Sequence, residues 1–368
     1  MSAGVGFDLR WATPDDEPDI RELVGSVPMP GAVAVRFARE PDYFLGASVM
    51  GDRCDVLVAR SRPEGELAGI ACRAERNAYV NGRESRLGYI AQIRVAGGFR
   101  GQWLVQRGAR RFNEASAPGL LYVGVIAREN PRARALLVGA RLPGGLHAAR
   151  VCGLTTCAIV LRPRRALRSP GIDVQPGSSE TLAEIVDFLR REGPRRQFFP
   201  AYSLDDFTGG ERLRGLRPQD VMVARRGSTL VGAMAAWDQS AYKQDVVDAY
   251  GPGLGRLRPA YDLGARLLGA RPLTRPGQAI PLAFASCVCV AGDDPRVMRA
   301  LLFACALDAH RRGKAFLMLG LADDDPLLAV ARRQLHVAYH SDLFALSWSD
   351  GPVSLLDGRV PYVEIATL

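Results

Sequence analysis

Lysine is almost missing from this chain: of 48 basic residues in 368, only Lys243 and Lys314 are not arginine. Such a skew reflects genomic base composition more readily than selection for an anionic ligand, so the formal net charge of +9 does not by itself point to nucleic acid. The arginines are scattered, apart from Arg162-Pro163-Arg164-Arg165 with Arg168 and the group Arg190, Arg191, Arg195 and Arg196. These read as a linker and a solvated face, although an anionic cosubstrate would still benefit from the field. Long apolar runs are missing as well, so no segment is expected to span a bilayer. Met1 to Gly6 lacks the basic and apolar regions of a signal peptide, and a cytoplasmic location is the expectation. The seven cysteines (Cys54, Cys72, Cys152, Cys157, Cys287, Cys289, Cys305) are odd in number and have no C-x-x-C spacing, which argues against a disulfide framework and against zinc. Most sit in apolar runs as small hydrophobes, while Cys287 and Cys289 share one strand face that is either core or cleft. The four histidines do not cluster: His147 and His336 occupy repeated positions, His310 lies among helix-end charges, and His340 is the loosest candidate.

What is present is a duplication. Cys54-Asp55-Val56-Leu57-Val58-Ala59-Arg60 followed by Leu67-Ala68-Gly69-Ile70-Ala71 recurs as Gln219-Asp220-Val221-Met222-Val223-Ala224-Arg225 followed by Leu230-Val231-Gly232-Ala233-Met234-Ala235. Further on, Tyr122 to Pro131 answers to Leu317 to Pro326, and Leu146-His147 and Leu154 answer to Leu335-His336 and Leu343. Repeated supersecondary units in one order imply a duplicated domain. At this length two domains are also the default, and a hydrophobic content of 48% with 24% charged residues is that of ordinary globular protein.

Each unit opens with a short strand (Phe7 to Ala12; Ile172 to Val174) and capping residues (Thr13-Pro14-Asp15-Asp16; Ser178-Ser179-Glu180), then a helix with Ile20, Leu23 and Val24 or Leu182, Ile185, Val186 and Leu189 on one stripe. A hairpin follows: Val56 to Arg60 with Leu67 to Cys72, and Val221 to Arg225 with Leu230 to Ala236. Next come a third strand (Gly88 to Val95; Leu282 to Val290), a glycine-containing turn and a helix. Further strands at Leu120 to Ile126 and Ala315 to Leu321, helices starting near Asn130 and Asp325, and terminal strands near Cys152 to Leu161 and Leu343 to Trp348 complete each unit. The expected fold is α/β, a mixed (α+β) sheet flanked by helices in each of two tandem domains, residues 1–165 and 171–368. Leu161 to Gly171 reads as the linker. The second domain carries an insertion at about 238–277, with a helix through Tyr261 to Leu268.

This order of parts resembles the GCN5-related N-acetyltransferase superfamily, and the duplication resembles its tandem-domain members. The resemblance implies that the strand before the central turn, Ile93-Arg94-Val95, offers backbone hydrogen bonds to the pantetheine arm of acyl-CoA. The turn and helix start, Phe99-Arg100-Gly101-Gln102-Trp103, would present amides to its pyrophosphate, as a helix N-terminus preceded by small residues can. The sequence departs from the family pattern where Trp103 and Val105 replace small residues. The second domain departs further, since Asp293 and Asp294 would repel a diphosphate and Pro295 removes an amide, so the first domain is the better cosubstrate candidate. Asn130 takes a position where family members turn an asparagine toward the pantetheine; alternatively it caps a helix ahead of Pro131.

The chemistry implied is attack of a deprotonated amine on a thioester, with acetyl-CoA or another acyl-CoA as cosubstrate, no metal, and a small-molecule or peptide amine as acceptor. Gln92 stands where the family often has a carboxylate, with Cys287 as its counterpart; Gln92 and Tyr89 are the catalytic candidates, through a held water, or else simply pack in the strand. Glu84 is the nearest acid. The acceptor pocket is expected around Tyr43, Phe198, Phe199, Tyr202 and the insertion. Two other readings stay open: a catalytically degenerate ligand-binding or scaffolding protein of the same fold, and an aminoacyl-tRNA-dependent transferase.

Overall fold

The computed structural model describes residues 6–29, 31, 33–101, 104–137, 145–163, 169–348 and 352–368. In the first half these form β1 (Gly6–Trp11), α1 (Glu17–Ser26), β2 (Val33–Ala38), α2 (Tyr43–Ser48), β3 (Arg53–Arg62), β4 (Leu67–Val80), β5 (Arg83–Val95), α3 (Leu104–Ala115), β6 (Leu121–Ala127), α4 (Pro131–Leu137) and β7 (Leu146–Val160). The second half repeats the pattern with β8 (Asp173–Pro176), α5 (Leu182–Glu192), α6 (Leu204–Thr208), β9 (Val221–Arg226), β10 (Thr229–Trp237), β11 (Gln244–Tyr250), α7 (Pro252–Leu267), β12 (Leu282–Val290), α8 (Pro295–Arg311), β13 (Phe316–Ala322), α9 (Leu328–Arg332) and β14 (His336–Trp348). The expected helix of the insertion is therefore longer, and a strand precedes it.

Local chemistry accounts for the boundaries. Thr13 and Asp16 form a capping box ahead of α1, with the Thr13 amide donating to the Asp16 carboxylate at 2.9 Å. Asp294 caps α8 by accepting from the Arg296 amide at 2.8 Å, and Pro295 takes the first helical position. In α5 the buried residues Leu182, Ile185, Val186, Phe188 and Leu189 make one apolar stripe against the sheet.

Twelve strands join in one sheet, ordered β1-β3-β4-β5-β6-β14-β7-β13-β12-β10-β9-β8, with β2 and β11 paired separately. The terminal strands do not close their own halves, as the sequence had led us to expect. β14 lies between β6 and β7, and β7 lies between β14 and β13, so each half is completed by the other's last strand. Length is the physical reason. β7 and β14 pair with each other from His336 with Ile159 through Trp348 with Leu146, far enough for one end of each to serve the neighbouring half. Asp342 sits at this crossing, buried, within 3.3 Å of Arg128, Arg134 and Arg150 from the first half. One large core lies mainly under the second half and another under the first, the latter including Leu343, Ala345, Val363 and Ile365 from the chain's end.

In each half one pair of neighbouring strands runs parallel, and that pairing is short. Leu87, Gly88 and Tyr89 of β5 face Leu121, Tyr122 and Val123 of β6, and Leu282, Ala283 and Phe284 of β12 face Phe316, Leu317 and Met318 of β13. Beyond these residues the strands part, leaving a wedge in each half.

Candidate active site

The wedge opens where β5 and β12 are each deformed by a bulge. Gln92 and Ile93 together oppose Ala71 of β4, and Cys287 and Val288 together oppose Met234 of β10. The first residue of each bulge is left-handed, with φ of 54° at Gln92 and 53° at Cys287. Neither is glycine, and such backbone costs on the order of 1 kcal/mol, which persists where the surrounding sheet enforces it. The bulge turns the following residues and frees main-chain groups from the ladder.

The two wedges are not alike. Ile90, Gln92, Val95, Val125, Ile126 and Ala127 are only partly covered and Ile93 is 44% exposed, whereas their counterparts Ala285, Cys287, Val290, Gly320, Leu321 and Ala322 are buried and Val288 is 6% exposed. In the second half Tyr362, Phe199 and Arg196 fill the gap, with Arg196 donating to Asp293 at 2.6 Å. The space left is about 20 Å³, room for about one water. The amide of the bulge residue Cys287 donates to Glu364 Oε2 at 2.8 Å, and the same oxygen accepts from the Tyr202 and Tyr362 hydroxyls at 3.0 and 2.9 Å. Among the described residues no side chain bonds the Gln92 amide, and the buried Gln92 Oε1 has no partner.

After β5 the chain makes a single helical turn (Gly97–Phe99) and reaches Gly101 at φ 83°. Phe99 packs edge-on to Phe7, ring centres 5.9 Å apart, and Arg100 is exposed. Gln102 and Trp103 lie outside the described residues. The corresponding turn of the second half is occupied by its own carboxylates: Asp293 pairs with Arg196, and Asp294 caps α8 and pairs with Arg226 and Arg296. Hydrogen bonds from those arginines and the Arg296 amide outweigh desolvation and hold the Asp294 carboxyl at about 2, so it is ionised at neutral pH.

The structure thus gathers Gln92, Ile93, Val95 and the Phe99 to Gly101 turn around the open wedge. Asn130 caps α4, its Oδ1 accepting from the Ala133 amide at 3.1 Å. Tyr89 is buried on the opposite sheet face with Cys72, Tyr43 and Arg76, and burial pushes its phenol well above the ordinary tyrosine range, so it stays protonated and is a weak acid at neutral pH. Tyr43 donates to Cys72 Sγ at 3.9 Å. Of the other aromatics singled out, Phe198 joins the first-half core, while Phe199 and Tyr202 join the second. Glu84 is spent on Arg190. Arg94 turns away from the wedge mouth, its guanidinium carbon 5.8 Å from the centre of the Phe37 ring, where Arg39 approaches to 5.5 Å.

Lys243, Arg39 and Glu364 were not anticipated. The Lys243 ammonium donates to the main-chain oxygens of Ala366 and Leu368 at 2.7 and 3.0 Å. Burial, with Arg39 nearby, lowers it to about 7. Its rarity was the available signal: in a chain that otherwise uses arginine, a lysine held at the centre of the molecule stands out.

Solved structures share this architecture. Saccharomyces cerevisiae N-myristoyltransferase with bound myristoyl-CoA superposes with a TM-score of 0.58 at 11% identity, covering 94% of this chain and 84% of that one. The GCN5-related N-acetyltransferase from Sphaerobacter thermophilus gives 0.53 at 15% identity, covering 98% of both chains. The chain has the GCN5-related N-acetyltransferase fold. A GCN5-related glucosamine N-acetyltransferase region of a fungal multi-domain GH3 β-N-acetylglucosaminidase gives 0.58 at 13% identity, covering 94% of this chain and 38% of that one. No protein-family model matches the sequence, and no curated protein sequence does. Within this fold, the mixed sheet with its parted parallel strands is the shared element, and the first half keeps it open.

Proposed function

We propose that the protein is an acyl-CoA-dependent N-acyltransferase, in its simplest form an acetyltransferase, acting in the cytoplasm on an amine of a small molecule or peptide, with its reaction site in the first half. The asymmetry of the two wedges supports this reading most: the first-half wedge is open at a strained bulge, and the second is filled by Phe199, Tyr362 and Arg196. The main chain of Ile93, Arg94 and Val95 would receive the pantetheine arm. The turn from Phe99 through Arg100, Gly101, Gln102 and Trp103 would hold the pyrophosphate at the start of the 12-residue helix α3, where free amides and the helix dipole favour anions. Asn130 lies on the other side of the wedge.

In the reaction the amine nitrogen attacks the thioester carbonyl carbon, the C–S bond breaks, and the thiolate takes a proton. Water at the open wedge would supply that proton, since Tyr89 is buried on the other sheet face and its raised phenol is a weaker acid than the thiol. Gln92 has no basic atom, so its free Oε1 would orient a water that carries away the proton released by the amine. The fold neighbours carry myristoyl-CoA and bear acetyltransferase names, in keeping with an acyl-CoA cosubstrate.

The test is turnover of acetyl-CoA and longer acyl-CoAs with a panel of amines and peptides, read by CoA thiol release and by mass of the product. Stoichiometric formation of an acylated amine supports the proposal. Binding of acyl-CoA with no transfer to any amine would establish the ligand-binding reading instead.

A further inference from the structure

The insertion of the second half turns a leucine face to solvent. In α7 the residues Tyr261 and Ala265 pack inward with Val160 and Phe316, while Leu257, Ala260, Leu263 and Leu267 recur at helical spacing on the outward side. Leu257, Leu263 and Leu267, with Leu268 at the helix end, are between 49% and 80% exposed. Single exposed leucines are ordinary, but four along one helix make a patch.

Beside this stripe the same helix lines a cleft. It measures about 660 Å³ and lies between α7 and the segment from Arg271 to Ala279, near Pro281 and Ala315, which precede β12 and β13. Arg258, Arg266, Arg271 and Arg275 line it, and Leu263 belongs to both cleft and stripe. Across residues 252–281 the chain carries five arginines and a single acid, Asp262. That acid is engaged within the fold, accepting from the Leu273 amide at 2.8 Å and pairing with Arg258 at 3.6 Å. Arg258 also donates to the Leu273 carbonyl at 3.3 Å, and the Tyr250 hydroxyl donates to the Thr274 carbonyl at 2.6 Å. Helix and segment are thereby tied together as the two walls of the cleft.

An apolar stripe flanked by arginines complements the headgroup boundary of an anionic bilayer, where leucines enter the acyl layer and guanidinium groups meet lipid phosphates. A second copy of this chain would set arginine against arginine across a two-fold interface. A nucleic acid would answer the arginines through its phosphates and leave the leucines without an apolar partner. We propose that α7 and the arginine cleft beside it dock the protein on anionic membrane surfaces, with α7 lying in the interface plane and the cleft taking a phospholipid phosphate. This docking does not depend on the transfer reaction, so either can fail without the other.

The test is co-sedimentation of the whole chain with vesicles of phosphatidylcholine alone and of phosphatidylcholine mixed with phosphatidylglycerol. Binding to the mixed vesicles, weakened by added salt, is expected. The double variant Leu263→Ser, Leu267→Ser should lower the partition coefficient by about tenfold or more, and Arg266→Gln, Arg275→Gln by about twentyfold. Leu355→Ser, at an exposed leucine elsewhere in the chain, should leave it unchanged. All of these side chains are exposed, so the variants should melt as the native protein does. Failure to bind the mixed vesicles overturns the proposal. So does binding that survives loss of the leucines, which would mark a surface acting by charge alone, and so does a dimer in solution that the leucine variant dissolves.

Discussion

Replacing Asp342 by asparagine probes the exchange of β7 and β14. Its carboxylate is 1% exposed, and Oδ1 accepts from Arg128 Nε at 3.1 Å and from Arg150 Nε and Nη2 at 3.1 and 2.9 Å. Desolvation alone would raise this carboxyl; the bonds from Arg150 and Arg128 outweigh it and hold it below the ordinary value. A charge-assisted bond contributes about 1.5–3 kcal/mol, but the arginines are a third to a half exposed and regain water, so the expected loss is about 2–3 kcal/mol in all. With an unfolding entropy of roughly 2 cal/mol/K per residue, this lowers Tm by about 3 °C. Because each half borrows the other's last strand, the loss must register in both. Trp11 lies in the first half and Trp237 is buried in the second; leaving one tryptophan at a time provides a fluorescence probe of each in urea titrations. The two probes should give coincident transitions that shift together in Asp342→Asn. Separate transitions, with only one moved, would refute the reasoning.

The pH dependence follows from the same residue and from Asp16. Asp16 is buried, bound by Arg10 at 2.6 Å and Arg60 at 2.8 Å; desolvation raises its carboxyl, but bonds from Arg10, Thr13 and Arg60 pull it far below the usual range. Both folded-state values are depressed, so their stabilisation is complete above the unfolded carboxylate value, near pH 4, and is lost as pH falls below it; acid titration of Asp16→Asn should show a shallower loss than native protein. Tyr89→Phe, in the core on the far sheet face, should change kcat by less than about threefold, and a loss of about tenfold or more with KM for acyl-CoA unchanged would place Tyr89 in the chemistry. Glu364→Gln should cost about 2–3 kcal/mol by weakening three buried bonds to one oxygen, measured by urea midpoint, and an unchanged midpoint would contradict that role.

Much of the architecture was legible because local signals carry it. The hairpin of β3 and β4 announces itself through apolar runs around Pro63 and Gly65, and α8 through Asp294-Pro295. Strand partnership beyond a hairpin is not local. Nothing in the apolar run from Cys152 to Leu161 distinguishes pairing with its own half from pairing with β13, since both bury the same faces. β2 and β11 escaped notice because they are short and pair across some two hundred residues of chain. At the site, Gln92 and Cys287 were located as counterparts by the repeat, but their left-handed backbone is imposed by the register slip of the neighbouring strand, which no property of glutamine or cysteine foretells. Arg39 and Lys243 converge only through the β2–β11 pairing, so their meeting is a tertiary fact.

The measurement that bears most directly on the account is calorimetric titration of the whole chain with acetyl-CoA. One site per chain is predicted, weakened in Arg100→Glu at the first-half turn and unaffected in Arg296→Glu at its second-half equivalent. Two sites per chain, or binding that depends on Arg296 and not on Arg100, would contradict it.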